Sequence, residues 1–493
     1  MLRRIAAILL VLSLFGAPAL SAEGYYYNRK GESVRVPDAY TAGDILDGES
    51  LGIGAFSGIC DLYTAADGTL YIADAGNNRI VVINSDNTVN KVVEKLSYQG
   101  GDYELSNPQG VFYKDGRLYI CNTGSQEVVV ADDSGNVIMR CGKPDSASIS
   151  ESAEFKPSKI AVNAAGSMFV SADGIYQGLL QYGPDGEFIN FFGATEIEVT
   201  PAVVLQNIWK NLFSDEQREG LTRIISNELS NVFIDSEDFV FTVTSSVNTK
   251  QVRRLNAAGE NILTYPGYDE STVFTSGYDK NNFGDQESDY SKGKLVVSEI
   301  CDVHMDSDGV ISVLDAARGK IFQYDEELTP ICIFGGTGEQ AGYFRKAAAL
   351  EKRGDEYLVA DSAKNTVTCM EPTSYITDIR SALELYRRGD YSGSVDKWQN
   401  VLNLNPSFTI AYKSIGRALL QEGNSGEALE YLREGDDRYY YSLAMQEYRR
   451  EFFRNNWQWL LPSVLAAAGA LIYGGHRLKK WLNAAAKRRK RGV

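Results

Sequence analysis

Hydrophobic and polar positions alternate in short runs over most of the chain, and the clearest run lies between Gly58 and Asp86, GICDLYTAADGTLYIADAGNNRIVVINSD. Within it Asp67-Gly68 is a tight-turn pair, Leu70 to Asp74 a β-rich run, Gly76-Asn77-Asn78 a polar turn and Arg79 to Val82 a second β-rich run. The spacing predicts an antiparallel meander. A meander alone buries one face, so it predicts copies of itself. The pattern recurs at Asp115 to Asn122, Gly166 to Val170, Asp238 to Phe241, Asp308 to Asp315 and Gly354 to Asp361. Six units predict an all-β six-bladed β-propeller, in which each small sheet packs both faces against its neighbours. The segment before the first unit, 25–57, is expected to lie along the propeller or to lend a strand to its last blade, which removes a sheet edge.

Equivalent turn positions are 48 and 50 residues apart from Gly68 through Gly116 to Gly166, then 72 to Asp238, 71 to Gly309 and 45 to Gly354. The two long intervals place insertions at 195–231, with helical periodicity, and at 265–294, a loop rich in Gly, Asp, Asn, Ser and Tyr. Both leave the propeller on one face and are expected to raise a rim over blades 3 to 5. The propeller is thus expected over 23–379. After Ile379 the period becomes helical, and residues match 34 apart: Ala382 with Gly416, Gly389 with Gly423, Trp398 with Leu432. This resembles two tetratricopeptide repeats, which with a capping helix at Tyr439 to Phe453 fill 380–453.

Trp457 to Gly475 holds no charged residue. Nineteen residues at about 1.5 Å each span about 28 Å, which predicts a transmembrane helix at 457–475. Flanking aromatics and the basic tail, 476–493, predict a cytoplasmic C-terminus with the folded domains outside the cell. At the other end, Arg3-Arg4, the apolar run Ile5 to Phe15 and the small residues Ala17, Ala19, Ser21 and Ala22 predict a signal peptide over 1–22, with a retained anchor as the rival reading.

The formal charge of -16 is unevenly spread. Ten of the 49 basic residues lie in the two ends, so 39 face 65 acids in the body, and an acidic body excludes nucleic acid as a partner. The six cysteines, Cys60, Cys121, Cys141, Cys301, Cys332 and Cys369, are scattered over four blades, and buried free thiols are favoured over bridges.

From Tyr25 to about Arg449 the chain resembles a bacterial family of exported NHL-repeat propeller proteins with tetratricopeptide repeats and a C-terminal membrane region. The resemblance rests on Pro37-Asp38-Ala39-Tyr40, Tyr71-Ile72-Ala73-Asp74 with Gly76-Asn77-Asn78-Arg79-Ile80, and Asp215-Glu216-Gln217-Arg218. It rests also on Ser230 to Asp235, Asn282-Phe283-Gly284-Asp285, and Gly389-Asp390-Tyr391 with Trp398. It implies an NHL-type propeller, a tetratricopeptide segment and an association with carbohydrate uptake systems. Relatives carry a larger multi-helix membrane domain where this chain has one span.

Aligning the units puts Asp61, Gly110, Lys159, Asn231 and Asp302 at the starts of the innermost strands, facing the channel mouth. Asp61, Asn231 and Asp302 offer oxygen ligands that suit calcium or magnesium, although no cofactor is expected; the competing reading pairs these groups with Lys159 and water as solvated lining. The two histidines, His304 and His476, argue against histidine-ligated zinc, and the strand position of His304 points to a packed side chain. Asp74, Asn122, Asp315 and Asp361 recur at one structural position and are expected to bond turn amides. In the second insertion Tyr268, Tyr278 and Tyr290, among acids and amides, are suited to stacking on sugar rings or to pinning the loop to the rim.

These features predict a non-enzymatic cell-surface binding protein. Its propeller face would take a glycan or a solute-uptake component, and its helical hairpins a membrane or surface protein through Trp398 and Tyr412. Two alternatives stand beside it: a metal-dependent propeller lactonase or lyase, and a structural assembly factor of a membrane complex.

Overall fold

The computed structural model describes residues 24–27, 33–146, 148–149, 152–193, 229–245, 251–263, 283–285, 289–291, 294–296 and 298–490. The signal peptide at 1–22, nearly all of the first insertion, and Tyr268 and Tyr278 of the second lie outside them. Of Tyr290 only the backbone, in the short strand Asp289–Ser291, is described. The chain divides into two compact units, one up to Leu383 and one from Glu384.

The first unit is a six-bladed β-propeller. Blade 1 runs outward from Ile59–Thr64 through Leu70–Asp74 and Arg79–Ile83 to Val89–Val93, each strand antiparallel to the last. Blades 2 and 3 repeat this with innermost strands Pro108–Lys114 and Lys156–Val162, and blade 5 with Ile300–Met305. Blade 4 shows three strands among the described residues, beginning with Asn231–Ile234. In blade 6 the strands Ala347–Arg353, Glu356–Asp361 and Thr366–Pro372 take their fourth partner from the start of the chain, Tyr40–Asp47. That pairing ties the two ends of the ring together and covers the edge that the last blade would expose. Farther upstream, Tyr25–Tyr27 adds to the outer strand of blade 5 and Ser33–Arg35 pairs beyond it.

In blade 1 burial peaks in the two middle strands, which explains the mixed hydrophobic patterns: the innermost strand, Ile59–Thr64, is buried at only three of its six positions. Every residue of Leu70–Asp74 and Arg79–Ile83 is buried, whereas the outermost Val89–Val93 has none. The core is a set of clusters between adjacent blades, such as Ile72, Val81, Leu358 and Val367 between blades 1 and 6. Between blades 5 and 6 a polar chain runs through the packing: Gln323 Nε2 donates to Ser312 Oγ at 2.9 Å, Ser312 to the Tyr357 hydroxyl at 2.8 Å, and Tyr357 to Asp306 Oδ2 at 2.5 Å.

The recurring carboxylates and amide all bind backbone amides, but only Asp315 and Asp361 accept from backbone amides of the turn that follows them, and those that Asp74 and Asn122 reach lie only in the segment entering the blade. Asp74 is fully buried, accepts from Ser57 N at 2.7 Å and pairs with Arg79 Nε at 2.6 Å. Asn122 accepts from Ser106 N, Asp315 from Glu299 N, and Asp361 from Arg345 N. Each bond joins the turn after the second strand to the segment entering the first, a requirement of the blade itself. The six cysteines are free thiols.

In the second unit, helix α1 (Ser374–Arg387), whose first turns belong to the propeller unit, is followed by α2 (Tyr391–Leu404), α3 (Thr409–Gln421), α4 (Ser425–Glu434) and α5 (Arg438–Lys490). Consecutive helices from α2 onward pack on one another. Gly389 and Gly423 end α1 and α3 with φ of +81° and +86°, the left-handed conformation of a helix terminus, which accounts for their 34-residue spacing. Gly416 meets α4 so closely that a Cβ would stand 2.5 Å from Leu432 Cγ. The expected cap and the expected span are one element: α5 is continuous over 53 residues. From Trp457 to Tyr473 it presents Trp457, Trp459, Leu465, Leu471 and Ile472 at more than half exposure each, and the candidate spanning window has no buried residue.

Trp398 requires a correction. It is 1% exposed, with its ring centroid 6.5 Å from that of Phe408, so it is part of the helical core and not a docking surface. Tyr412 is half-buried, its hydroxyl donating to Pro406 O at 3.1 Å.

Candidate functional site

Five of the six innermost strands carry a register shift one residue before their channel-facing position, with Cys60, Gln109, Ser158, Cys301 and Ala348 as the extra residues. A bulge turns the following side chain and tightens the strand's twist. The residues after it form a first ring: Asp61, Gly110, Lys159, Asn231, Asp302 and Ala349 by equivalent register. Where the bulge residue is cysteine its thiol faces carbonyls, Cys60 Sγ lying 3.4 Å from Gln109 O.

The structure brings together the four polar residues that sequence alignment selects. Lys159 Nζ lies 2.6 Å from Asp61 Oδ1 and donates to Cys60 O at 2.7 Å. It reaches past blade 2 to do so, and Gly110 permits this: a Cβ there would stand 2.6 Å from Ser158 O and 3.0 Å from Lys159 Cα. Asp61 Oδ2 accepts from Val111 N of blade 2 at 2.8 Å, and Asp302 Oδ2 accepts from Leu350 N of blade 6 at 2.7 Å. Asn231 Nδ2 donates to Asp302 Oδ1, which also accepts from Val303 N. The first ring is therefore a set of bonds between blades as well as a channel lining.

This arrangement does not fit a metal set. The ammonium of Lys159 occupies the side of Asp61 where a divalent ion would have to sit, and backbone amides occupy the second oxygens of both carboxylates. Among the described residues no group of three His, Cys, Asp or Glu is placed to hold an ion. Of the oxygens read as calcium or magnesium ligands, those of Asp61 are engaged by Lys159 and Val111 N, and those of Asp302 by Asn231 and backbone amides. Burial alone would lower the Lys159 pKa, but Asp61 and Asp302 outweigh it and hold the ammonium above the ordinary lysine range. Burial pushes Asp302 up to about 6 against the pull of Lys159.

Two residues further along each strand, side chains face the channel again, because strand side chains repeat every second position. This second ring is Tyr63, Phe112, Ala161, Phe233, His304 and Glu351, and all six line a cavity of about 280 Å³ that also reaches Asp61, Lys159, Asn231 and Asp302. Tyr63 and Phe112 have centroids 4.3 Å apart, and Phe233 lies 4.7 Å from the His304 ring. His304 Nε2 is 3.3 Å from Asp306 Oδ1 and its Nδ1 is 3.4 Å from Glu351 Oε1, neither contact being a hydrogen bond. Asp306 is fixed behind it by Lys352 Nζ at 2.9 Å and Arg380 Nη2 at 3.0 Å. Burial pushes Glu351 up to about 7, with His304 opposing. Burial would lower His304, but Asp306 and Glu351 raise it overall.

His304 was read from the sequence as a packed side chain, yet it lines the cavity. Tyr63, Phe112, Phe233 and Glu351 were missed. Period-two alternation from the first ring would have found them.

No family model matches the chain, and no curated protein matches it. Among solved structures, Staphylococcus aureus virginiamycin B lyase aligns with a TM-score of 0.40 at 11% identity, covering 68% of this chain and 100% of that one. A Bacteroides thetaiotaomicron protein of unknown function aligns at 0.41 and 11%, covering 72% and 83%. The hydrazine synthase of Kuenenia stuttgartiensis aligns at 0.38 and 11%, covering 64% and 96%.

Proposed function

We propose that the chain is a membrane-tethered, non-enzymatic binding protein. Its propeller, of NHL type, holds a small ligand in the central channel outside the cell, and its helical hairpins, read as tetratricopeptide repeats, engage a membrane or surface protein such as a solute-uptake component. The observation that carries this reading is the channel cavity. Its first-ring polar groups are nine-tenths or more buried and bonded to one another, a rigid and prearranged lining of the kind that selects a ligand without reorganising. The exposed apolar stretch of α5 supports the tether, because a helix surface of that length finds its partner in lipid.

The test is a thermal-shift screen of the full chain in detergent against neutral sugars, organic acids and amines. A true ligand at about a hundredfold excess over its Kd stabilises by about 2.7 kcal/mol. Recovery of that ligand unchanged after long incubation is the expected result, and conversion to a product would overturn the non-enzymatic reading. In parallel, crosslinking in native membranes should capture an uptake component, and loss of capture on deleting 268–291 would place the contact on the rim insertion. If no ligand shifts the melting point while crosslinking still finds a membrane complex, the assembly-factor reading replaces this one.

One observation favours a second reading, a lyase or lactonase. His304 Nδ1 faces Glu351 across 3.4 Å inside the cavity, with Asp306 orienting the ring from behind, an arrangement able to move a proton. In such an enzyme Asp61, engaged by Lys159, would not serve as a free metal ligand. Turnover abolished in His304→Gln would establish it.

A further inference from the structure

The charges around the cavity do not balance. Asp61 is neutralised by Lys159 at 2.6 Å, and Asp306 by Lys352 and Arg380 on the side away from the cavity. Asp302 accepts only from the amides of Val303, Leu350 and Asn231 among its hydrogen-bond partners, and Lys159, the cation that acts on it, is engaged by Asp61. Glu351 Oε1 accepts from Lys352 N at 2.9 Å, and His304, which it shares with Asp306, is its ion-pair partner. Three carboxylates therefore line the cavity against one lysine and one shared imidazole. Both Asp302 and Glu351 are more than nine-tenths buried, where an undercompensated carboxylate is costly and an arriving cation gains a strong partner.

The rest of the wall suits an organic cation better than a metal ion. Tyr63, Phe112 and Phe233 are partly exposed although they stand inside the ring, and each lines the cavity. Aromatic faces attract alkylammonium groups and tolerate their methyls, and they offer no oxygen ligands to a divalent ion. The volume, about 280 Å³, is below that of sites for drug-sized molecules, which points to a ligand of a few heavy atoms.

We propose that the channel cavity binds a small organic cation, an amine or quaternary ammonium of about choline's size. Asp302 and Glu351 face its positive centre, and Tyr63, Phe112 and Phe233 surround its alkyl groups. This deepens the binding reading above and rests on it.

The test is isothermal titration of the full chain in detergent micelles with choline, with its uncharged carbon isostere 3,3-dimethylbutan-1-ol, and with calcium chloride. Choline should bind at least about tenfold more tightly than the isostere. Glu351→Gln and Asp302→Asn should each weaken choline by about tenfold and leave the isostere unaffected. Phe233→Leu, which keeps both carboxylates and a similar volume, should shrink the choline preference, so the proposal remains testable if an acid variant misfolds. Equal binding of choline and the isostere overturns the cation while leaving a ligand-binding channel in place. Calcium binding more tightly than choline, and displacing it, replaces the organic cation by a metal ion. Absence of choline binding in a chain whose melting is cooperative overturns the cation reading, and a non-amine hit in the thermal-shift screen would then show that the channel binds a different class.

Discussion

At the residue scale, the most repeated side chain and the most unusual ones carry different loads. Asp74 bridges Ser57 N and Arg79 in a site where both charged groups are buried. Replacing it with alanine strands a buried guanidinium, so Asp74→Ala should cost about 3–5 kcal/mol in chemical denaturation, whereas Asp67→Ala in an exposed turn should cost less than about 1 kcal/mol. The channel acids act on stability through protons instead. Asp302 at about 6 and Glu351 at about 7 stand above their values in the unfolded chain, so the folded protein holds extra protons between about pH 4 and pH 7. Stability should therefore fall as pH rises through that window. His304, also raised, acts in the same direction above about pH 6.5, and the depressed Asp306 acts only below about pH 4. Each carboxyl accounts for on the order of 2–3 kcal/mol, and denaturation midpoints measured across the window should flatten in Asp302→Asn and Glu351→Gln. A slope unchanged in both variants would show that neither acid is perturbed. The first ring was legible because its residues recur at blade-length spacing. The second was missed because Tyr63, Phe112 and Phe233 read as ordinary strand hydrophobics, although a step of two residues from each first-ring position marks them.

At the element scale, repetition made the blades and helical hairpins readable, and everything that depends on one copy was harder to see. The turn at Asp67-Gly68 and its counterparts fixed the meanders, and of the two readings for 25–57, lying along the propeller or lending its last blade a strand, Tyr40–Asp47 realises the second. That Tyr25–Tyr27 would join blade 5 had no local signal. Its hold is long-range: the hydroxyls of Tyr25 and Tyr27 converge on Asp285, which also pairs with Lys320 at 2.7 Å and Arg318 at 2.6 Å. In the helical unit, Trp398 matched Leu432 in the repeat, and that match was already a core signal, since equivalent positions in stacked hairpins pack inward. Trp398→Ala should destabilise the helical unit by about 3–5 kcal/mol, read as an early loss of helical circular dichroism. Tyr412→Ala should change it by less than about 1 kcal/mol, which leaves Tyr412 as the one of the two suited to testing partner contact. If Trp398→Ala folds normally, the packing described for α2 and α3 is wrong.

At the scale of the whole molecule, the uneven charge and the exposed apolar stretch of α5 predict one orientation, and the protein's own chemistry allows it to be measured. The body is acidic, Arg477 onward is strongly basic, and a helix crossing lipid keeps its basic flank in the cytoplasm. The six native thiols should react slowly, because each is buried or bonded to backbone and burial pushes Cys60 and Cys369 up to about 12 and Cys141 up to about 11. Maleimides react with thiolate, so the folded chain provides a nearly silent background. A single cysteine placed at Asp86, in an exposed turn of blade 1, should then label with a membrane-impermeant maleimide on intact cells. One placed at Gly492 should label only after the membrane is permeabilised. The opposite pattern would invert the topology. Labelling of both in intact cells would mean that α5 does not cross the bilayer, and its Trp457 to Tyr473 surface would have to be covered by another protein, which would turn the tether into an assembly interface.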